Sequence, residues 1–164
     1  MKLFNVDGLL ELTGTNRYEF KLNDINDVFN AAGQILKLSQ ELEQTYKKYA
    51  ELKVLNVKNL QNSSLNKINN ELNKEGNGKK ISDKVHDEIE KVILVKNYFM
   101  HEFFLKDFQE QSQPKGYDAW LADLSEKLTL CYNYICEMVD CVNNMIEDAL
   151  GKNQIRRPTI WDKK

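Results

Sequence analysis

Residues 96–101, with the sequence KNYFMH, carry side chains that suit proton transfer beside a phosphate. On a helix, Asn97 and His101 lie four residues apart and share a face. Lys96 lies about 100° from Asn97 around the helix axis, and its long stem can reach round to the same cleft. A cation binds and stabilises a phosphate, and an imidazole moves protons near neutral pH. The set therefore suits metal-independent cleavage of a phosphodiester, with His101 as general acid or base, Lys96 as phosphate ligand and Asn97 as orienting amide.

The same six residues resemble the signature of the HEPN superfamily, which is commonly written RNxxxH. This superfamily comprises helical-bundle proteins of prokaryotic defence and toxin–antitoxin systems, and many are metal-independent ribonucleases. Lys96 stands at the Arg position, Asn97 at the polar position and His101 at the His position. The resemblance implies an RNA substrate or ligand, a homodimer with the cleft between its subunits, an antitoxin or other protein partner, and no cofactor or metal. Because Lys offers a point charge where Arg offers a planar fork, both RNA cleavage and RNA binding without cleavage stay open.

An alternative interpretation assigns no chemistry to this stretch. A single histidine in an aromatic-rich helix is ordinarily a structural residue with a satisfied hydrogen bond. The chain would then be a non-catalytic helical adaptor or a mobile-element accessory protein, with His101 structural. Burial separates the two interpretations, because a catalytic His101 must open onto a groove with Lys96 and Asn97, whereas a structural one is enclosed.

Apolar residues recur at steps of three and four along most of the chain, which predicts an all-α fold. Three long helices are predicted near 24–52, 82–112 and 118–149, and a short helix over Leu65–Asn73. Asn23, Ser82 and Asp118 are the predicted N-caps of the long helices. The architecture implied is an up-and-down bundle of three long helices plus one or two short ones.

Three regions follow from this pattern. Residues 1–22 are predicted to form an N-terminal hairpin or a small helical cap, because Asp7-Gly8 is a turn signal while the leucines around it also suit a helix. Residues 23–151 form the bundle, and residues 152–164 form a basic C-terminal tail. Residues 92–104 carry more apolar side chains than one buried stripe needs, which predicts a homodimer interface on the motif helix.

Composition and cysteine usage predict a cytoplasmic protein with no membrane partner. The formal net charge of -2 argues against a broad surface that coats nucleic acid. No apolar run approaches the roughly 18 residues of a spanning helix, and the N-terminus lacks the features of a signal peptide. Cys131, Cys136 and Cys141 follow one another at steps of five, so consecutive thiols point to different faces of a helix. This spacing suits neither a zinc site nor an internal disulfide, and predicts buried or half-buried reduced thiols.

Overall fold

A computed structural model of the chain describes residues 18–53, 58–103 and 116–151. These residues form an all-α helical bundle, and no strand occurs among them. The fold is the all-α bundle that the sequence predicts, with three long helices and one short one. The four α-helices of the described residues are α1 (Ile25–Leu52), α2 (Leu65–Asn73), α3 (Asp83–His101) and α4 (Tyr117–Ala149).

The helix starts agree with the sequence patterns to within a residue or two. Helix α2 has the predicted bounds, and the Ser82 hydroxyl caps α3 by accepting a hydrogen bond from the Val85 N–H at 3.2 Å. The predicted cap of α1 is wrong, because the Asp24 carboxylate, and not Asn23, accepts from the Asp27 N–H at 3.0 Å. Aspartate is a strong N-cap, and its neighbour Asn23 offered the same short polar side chain in the sequence.

The remaining helix ends that the structure describes also lie close to their predicted positions. Helix α4 begins at Tyr117, so Asp118 lies in its first turn and is not its cap. Gly151, with φ of 69°, follows the last turn of α4, where a glycine in the left-handed conformation commonly ends a helix. Helix α3 ends at His101, and the predicted continuation from 104 to 112 lies outside the described residues. The predicted basic tail and most of the predicted hairpin or cap, residues 1–17, also lie outside them.

The described residues fall into two compact units, and α1, α3 and α4 contribute to both. The first unit comprises residues 18–39, 94–103 and 116–136. Its core is rich in aromatic side chains, and Phe99 and Phe103 of the motif segment lie in it with ring centroids 5.0 Å apart. Tyr98 packs against the same two rings at 5.4 and 6.1 Å. The aromatic richness of the motif helix therefore supplies core packing in this unit.

The second unit comprises residues 40–53, 58–93 and 137–151. Leu65, Ile68 and Leu72 of the short helix α2 are buried, as their spacing predicts. Ahead of α2, a 3-10 turn over Leu60–Asn62 begins at Asn59, whose φ of 60° is a left-handed conformation that asparagine tolerates better than most residues. The Ser64 hydroxyl then caps α2 by accepting from the Lys67 N–H.

The apolar stripes predict burial well, with a few informative exceptions. Of the eight inner positions that helical spacing predicts on α4, seven are buried and Met145 is half-buried. The seven are Leu121, Leu124, Leu128, Cys131, Ile135, Met138 and Val142. On α1, helical spacing places Phe29 on the core stripe, but this side chain is 48% exposed. Its neighbours Val28 and Ala31 are buried instead, so the core face of α1 is turned toward Ala31 and leaves Phe29 at its edge.

Candidate functional site

His101 is exposed at the end of α3, in the first unit. Asn97 is exposed one turn earlier on the same face of the helix. Buried aromatic side chains occupy the opposite side of this segment, because Phe99 and Phe103 face the core. His101 is therefore available to solvent and to a ligand, and the enclosed, core-packed histidine of the alternative interpretation is not what the structure contains.

Lys96 lies on a different side of α3 from His101. The two residues are five apart, which corresponds to about 140° around a helix axis. Lys96 is half-buried and shares its stripe with the buried rings of Phe99 and Phe103, at steps of three and seven. The helix thus brings Asn97 and His101 together, whereas Lys96 depends on its long stem to reach their face. A shared groove for all three side chains stays a prediction.

Apolar side chains flank the exposed pair. Leu94 is 57% exposed and Met100 53% exposed, and both lie beside Asn97 on the outer side of α3. Burying two such side chains against a partner is favourable, since each contributes about 1.5–3 kcal/mol when it leaves water fully. The predicted interface therefore corresponds to a surface in which a polar amide and an imidazole lie between two exposed apolar side chains.

A cluster of one histidine and two carboxylates, absent from the sequence-based candidates, lies in the second unit. His86, Asp87 and Glu90 offer potential metal-ligand atoms within 4.8 Å of one another. The His86 ring holds Asn70 Oδ1 at 2.8 Å and Glu90 Oε1 at 3.6 Å from Nε2, and Asp87 Oδ1 at 3.4 Å from Nδ1. Asp87 and Glu90 are exposed, and exposed acidic groups commonly lie this close together without a metal. In this arrangement His86 is a hydrogen-bonding link between α2 and α3.

Two buried hydroxyls and an amide join the helices of the second unit. The Tyr46 hydroxyl donates to Asn69 Oδ1 at 2.8 Å, and Asn69 Nδ2 donates to the His86 carbonyl at 2.9 Å. The Tyr49 hydroxyl donates to the Lys80 carbonyl at 3.0 Å. Burial raises the pKa of both tyrosines, with the proximity of the two rings adding to the effect at Tyr46 and a nearby aspartate adding to it at Tyr49. Both phenols therefore stay protonated and act as donors.

The sequence patterns missed several buried charged side chains. Helical spacing places Lys47 and Glu88 on outer, solvated faces, but each is only 5% exposed. The Lys47 ammonium donates to the Gln61 carbonyl at 2.8 Å and lies 4.0 Å from a Glu43 carboxylate oxygen. Helical spacing identifies the core stripe, but it does not show which polar neighbours of that stripe another segment will cover. Spacing could have revealed one buried polar residue, because Asn69 falls with Leu65, Ile68 and Leu72 at the inner positions of α2.

Three polar side chains on α4 bind residues 18–20 of the first unit, which have no regular secondary structure. Ser125, Thr129 and Asn133 lie at steps of four, and they hydrogen-bond the backbone of Tyr18 and Phe20. Thr129 and Asn133 are buried there. This polar row was not among the sequence-based candidates, and its signal was the four-residue spacing of small polar residues beside an apolar stripe.

The cysteines behave as predicted. Cys131 and Cys141 are buried, Cys136 is half-buried, and all three are reduced thiols outside any disulfide. Burial raises the pKa of the Cys131 thiol far above its ordinary range, so this side chain is an inert part of the core.

Comparison of the chain with protein-family models, with curated proteins and with solved structures gives no match. Among the described helices, none has both the length and the apolar character that crossing a membrane requires.

Proposed function

We propose that the chain is a HEPN-like RNA-binding protein or metal-independent endoribonuclease of a defence or toxin–antitoxin type, acting through the outer face of α3. The observation that carries the proposal is the exposure of His101 together with Asn97 on one face of that helix. A histidine that contributes no core packing, in a motif of this kind, is available for proton transfer. A cytoplasmic location fits the three reduced cysteines, because thiols persist in that compartment.

The reaction would proceed by attack of a ribose 2′-hydroxyl on the adjacent phosphorus. A base takes the hydroxyl proton, the 2′-oxygen bonds to phosphorus, and the 5′-oxygen leaves with a proton from an acid. The products are a 2′,3′-cyclic phosphate and a 5′-hydroxyl. His101 would serve as base or acid, Asn97 would orient the phosphate or the hydroxyl, and the Lys96 ammonium would bind the phosphate after its stem bends toward the outer face.

A homodimer would complete this apparatus. Each chain has one histidine in the motif, and general acid and general base act at opposite ends of the reaction. Two copies joined through Leu94 and Met100 would place two imidazoles and two amides along one interface. Exposed apolar side chains beside the polar pair support such an assembly.

The test is cleavage of a mixed-sequence RNA by purified full-length protein, with matched glutamine variants of the two histidines. His101→Gln should lower the rate by about 10²–10⁴-fold, the usual effect of losing general acid–base catalysis. His86→Gln is the control, since it changes the other histidine and leaves the motif intact. Equal losses in the two variants, or a wild type that is inert on RNA, would refute the nuclease proposal.

Two further variants examine the cation. Lys96→Ala should lose activity, whereas Lys96→Arg should retain or raise it, because arginine supplies a planar fork for two phosphate oxygens. Lys91→Ala on the same helix is the matched control for loss of a positive charge. EDTA should leave the rate unchanged. Inhibition by EDTA would contradict the metal-independent mechanism and direct attention to His86, Asp87 and Glu90.

A second candidate function is a non-catalytic helical adaptor or mobile-element accessory protein, which the exposed Leu94 and Met100 favour. The same surface would then hold a protein partner, such as an antitoxin, without any chemistry at His101.

Light scattering on Leu94→Glu tests whether this surface mediates self-association. The variant should give the 19.2 kDa monomer while the wild type gives a larger species. Leu52→Glu, at another exposed leucine, is the control that should keep the wild-type mass. A wild type that is itself monomeric would refute the homodimer.

A further inference from the structure

Among the described residues, Met100 is the one methionine whose side chain is largely exposed. It is 53% exposed, whereas Met138 is fully buried and Met145 is half-buried. Oxidants dissolved in water reach an exposed thioether, and they are kept from one that is packed in the core. The three thioethers therefore differ in their access to an oxidant, and that of Met100 has the most.

Met100 borders both polar side chains of the outer face of α3. It directly precedes His101, and it follows Asn97 by three residues. Residues three apart on a helix are neighbours on its surface, so the thioether lies beside the Asn97 amide. Both Asn97 and His101 are exposed. A chemical change at the Met100 sulfur therefore takes place at the edge of the pair on which the proposed function depends.

A peroxide converts a thioether into a sulfoxide without any other reactant. A lone pair of the Met100 sulfur attacks one oxygen of hydrogen peroxide, an S–O bond forms, and the O–O bond breaks. The other oxygen leaves as water after proton transfer, so the sulfur is oxidised and the peroxide is reduced. Methionine sulfoxide reductases reverse this change with a thiol as reductant.

The sulfoxide changes the outer face of α3 in two ways. It replaces an apolar, flexible side chain with a polar one, which opposes a contact through Leu94 and Met100. Its oxygen also accepts hydrogen bonds, and the Asn97 Nδ2 group is a donor on the adjacent turn. An amide bound to the sulfoxide no longer orients a phosphate or a ribose hydroxyl for His101.

We propose that Met100 is a site of reversible oxidation by peroxide, and that its sulfoxide switches off RNA cleavage at the outer face of α3. The inference rests on the proposed function, because Asn97 and His101 carry out that cleavage. It adds an oxidant as the regulator of the same site. Oxidation acts on the free chain, since the proposed homodimer covers Met100.

Peptide mapping by mass spectrometry tests the selectivity of the modification. Full-length protein at low micromolar concentration is treated with dilute hydrogen peroxide, and the added oxygen is followed at each methionine. In the native protein Met100 should be oxidised first, Met145 later and Met138 last. In protein unfolded by urea the three rates should become equal. Equal rates in the native protein would overturn the proposal, whatever the RNA activity is.

The rate of RNA cleavage before and after peroxide tests the switch. Oxidation should lower the wild-type rate by about 10- to 100-fold, the value of one hydrogen bond to a charged group. Treatment with methionine sulfoxide reductases should restore the rate. Met100→Leu, which keeps all three cysteines, should show the same rate before and after peroxide. Met145→Leu is the matched control and should still be inactivated by peroxide.

The outcomes distinguish a failure of the switch from a failure of the proposed function. An active wild type whose rate survives full oxidation of Met100 would overturn the switch and leave the nuclease proposal standing. A Met100→Leu variant that peroxide inactivates as it does the wild type would also overturn the switch, because the target would be another residue. An untreated wild type that is inert on RNA would refute the nuclease proposal, and the switch with it.

Discussion

The buried Tyr46–Asn69 hydrogen bond allows a sharp test of what holds α2 against the rest of the second unit. The Tyr46 hydroxyl and the Asn69 amide are both fully buried, and the amide also donates to the His86 carbonyl. Replacing Asn69 with leucine keeps a similar volume and removes both partners at once. The Tyr46 hydroxyl is then buried without an acceptor. The His86 carbonyl loses the Asn69 amide as a donor, but it keeps the backbone hydrogen bond that a carbonyl inside a helix accepts from the next turn.

The expected cost follows from those two losses. A buried polar group left without its partner costs about 1–3 kcal/mol. Most of this cost should fall on the Tyr46 hydroxyl, so Asn69→Leu should lower the free energy of unfolding by about 2–3 kcal/mol. A domain of this size loses about 2–4 °C in melting temperature per kcal/mol. Tyr46→Phe should cost about 1–2 kcal/mol, because only the acceptor on Asn69 loses its partner.

The double variant provides the decisive comparison. In Tyr46→Phe with Asn69→Leu, no unpaired hydroxyl remains, so the combined loss should be smaller than the sum of the single losses by about 1–2 kcal/mol. Urea unfolding followed by circular dichroism measures all four corners of the cycle. Additive losses, or a Tyr46→Phe variant as stable as wild type, would show that this hydrogen bond does not stabilise the unit and would refute the reasoning.

Three further outcomes are expected from charges and thiols. Hydrogen bonds from a lysine and an asparagine hold the folded-state pKa of Asp83 below its ordinary value. The stabilising contribution of this carboxylate is therefore present above about pH 4 and is lost as the pH falls through the folded pKa. In an acid titration of unfolding, wild type should lose its advantage over Asp83→Asn in that range, and a constant difference would contradict this sign. Lys47→Met should lower the free energy of unfolding by about 1–3 kcal/mol, because the Gln61 carbonyl loses its donor. In the same urea assay, Lys48→Met at an exposed position should change the free energy of unfolding by no more than about 0.5 kcal/mol. A thiol reagent at neutral pH should modify half-buried Cys136 well before buried Cys131 in the native protein, and peptide mapping showing equal rates would contradict that order.

The sequence predicted the helices well because apolar periodicity is a local property. The bounds of α2 and the inner face of α4 follow directly from steps of three and four residues. The burial expected for Phe29 from helical spacing is wrong, because the apolar stripe of α1 is wider than the face of the helix that packs against the core. Ala31 and Ala32 are buried on one side of α1, and the exposed Phe29 lies at the edge of that face.

The burial of individual polar residues could not be predicted in the same way. Lys47 is buried because the turn before α2 brings the Gln61 carbonyl to its ammonium, and no spacing within α1 encodes that encounter. The polar side chains of α4 are similar, since Thr129 and Asn133 bind the backbone of Phe20 and Tyr18, more than a hundred residues earlier in the chain. Long-range polar pairing depends on the tertiary fold, whereas the apolar stripes that drive the fold are visible in advance.

For the motif, the helix geometry gives unequal support to the three side chains. Asn97 and His101 are on one exposed face, and Lys96 belongs to the stripe that faces the core. A single imidazole cannot be base and acid at the same moment, so under the nuclease proposal one copy of the motif supplies one of the two proton-transfer groups. The exposed Leu94 and Met100 are then part of the nuclease proposal, because a contact through them would bring a second His101 to the first. A wild type that cleaves RNA as a strict monomer would need another proton donor beside α3, and a dimer that leaves RNA intact would place the function of this face in partner binding.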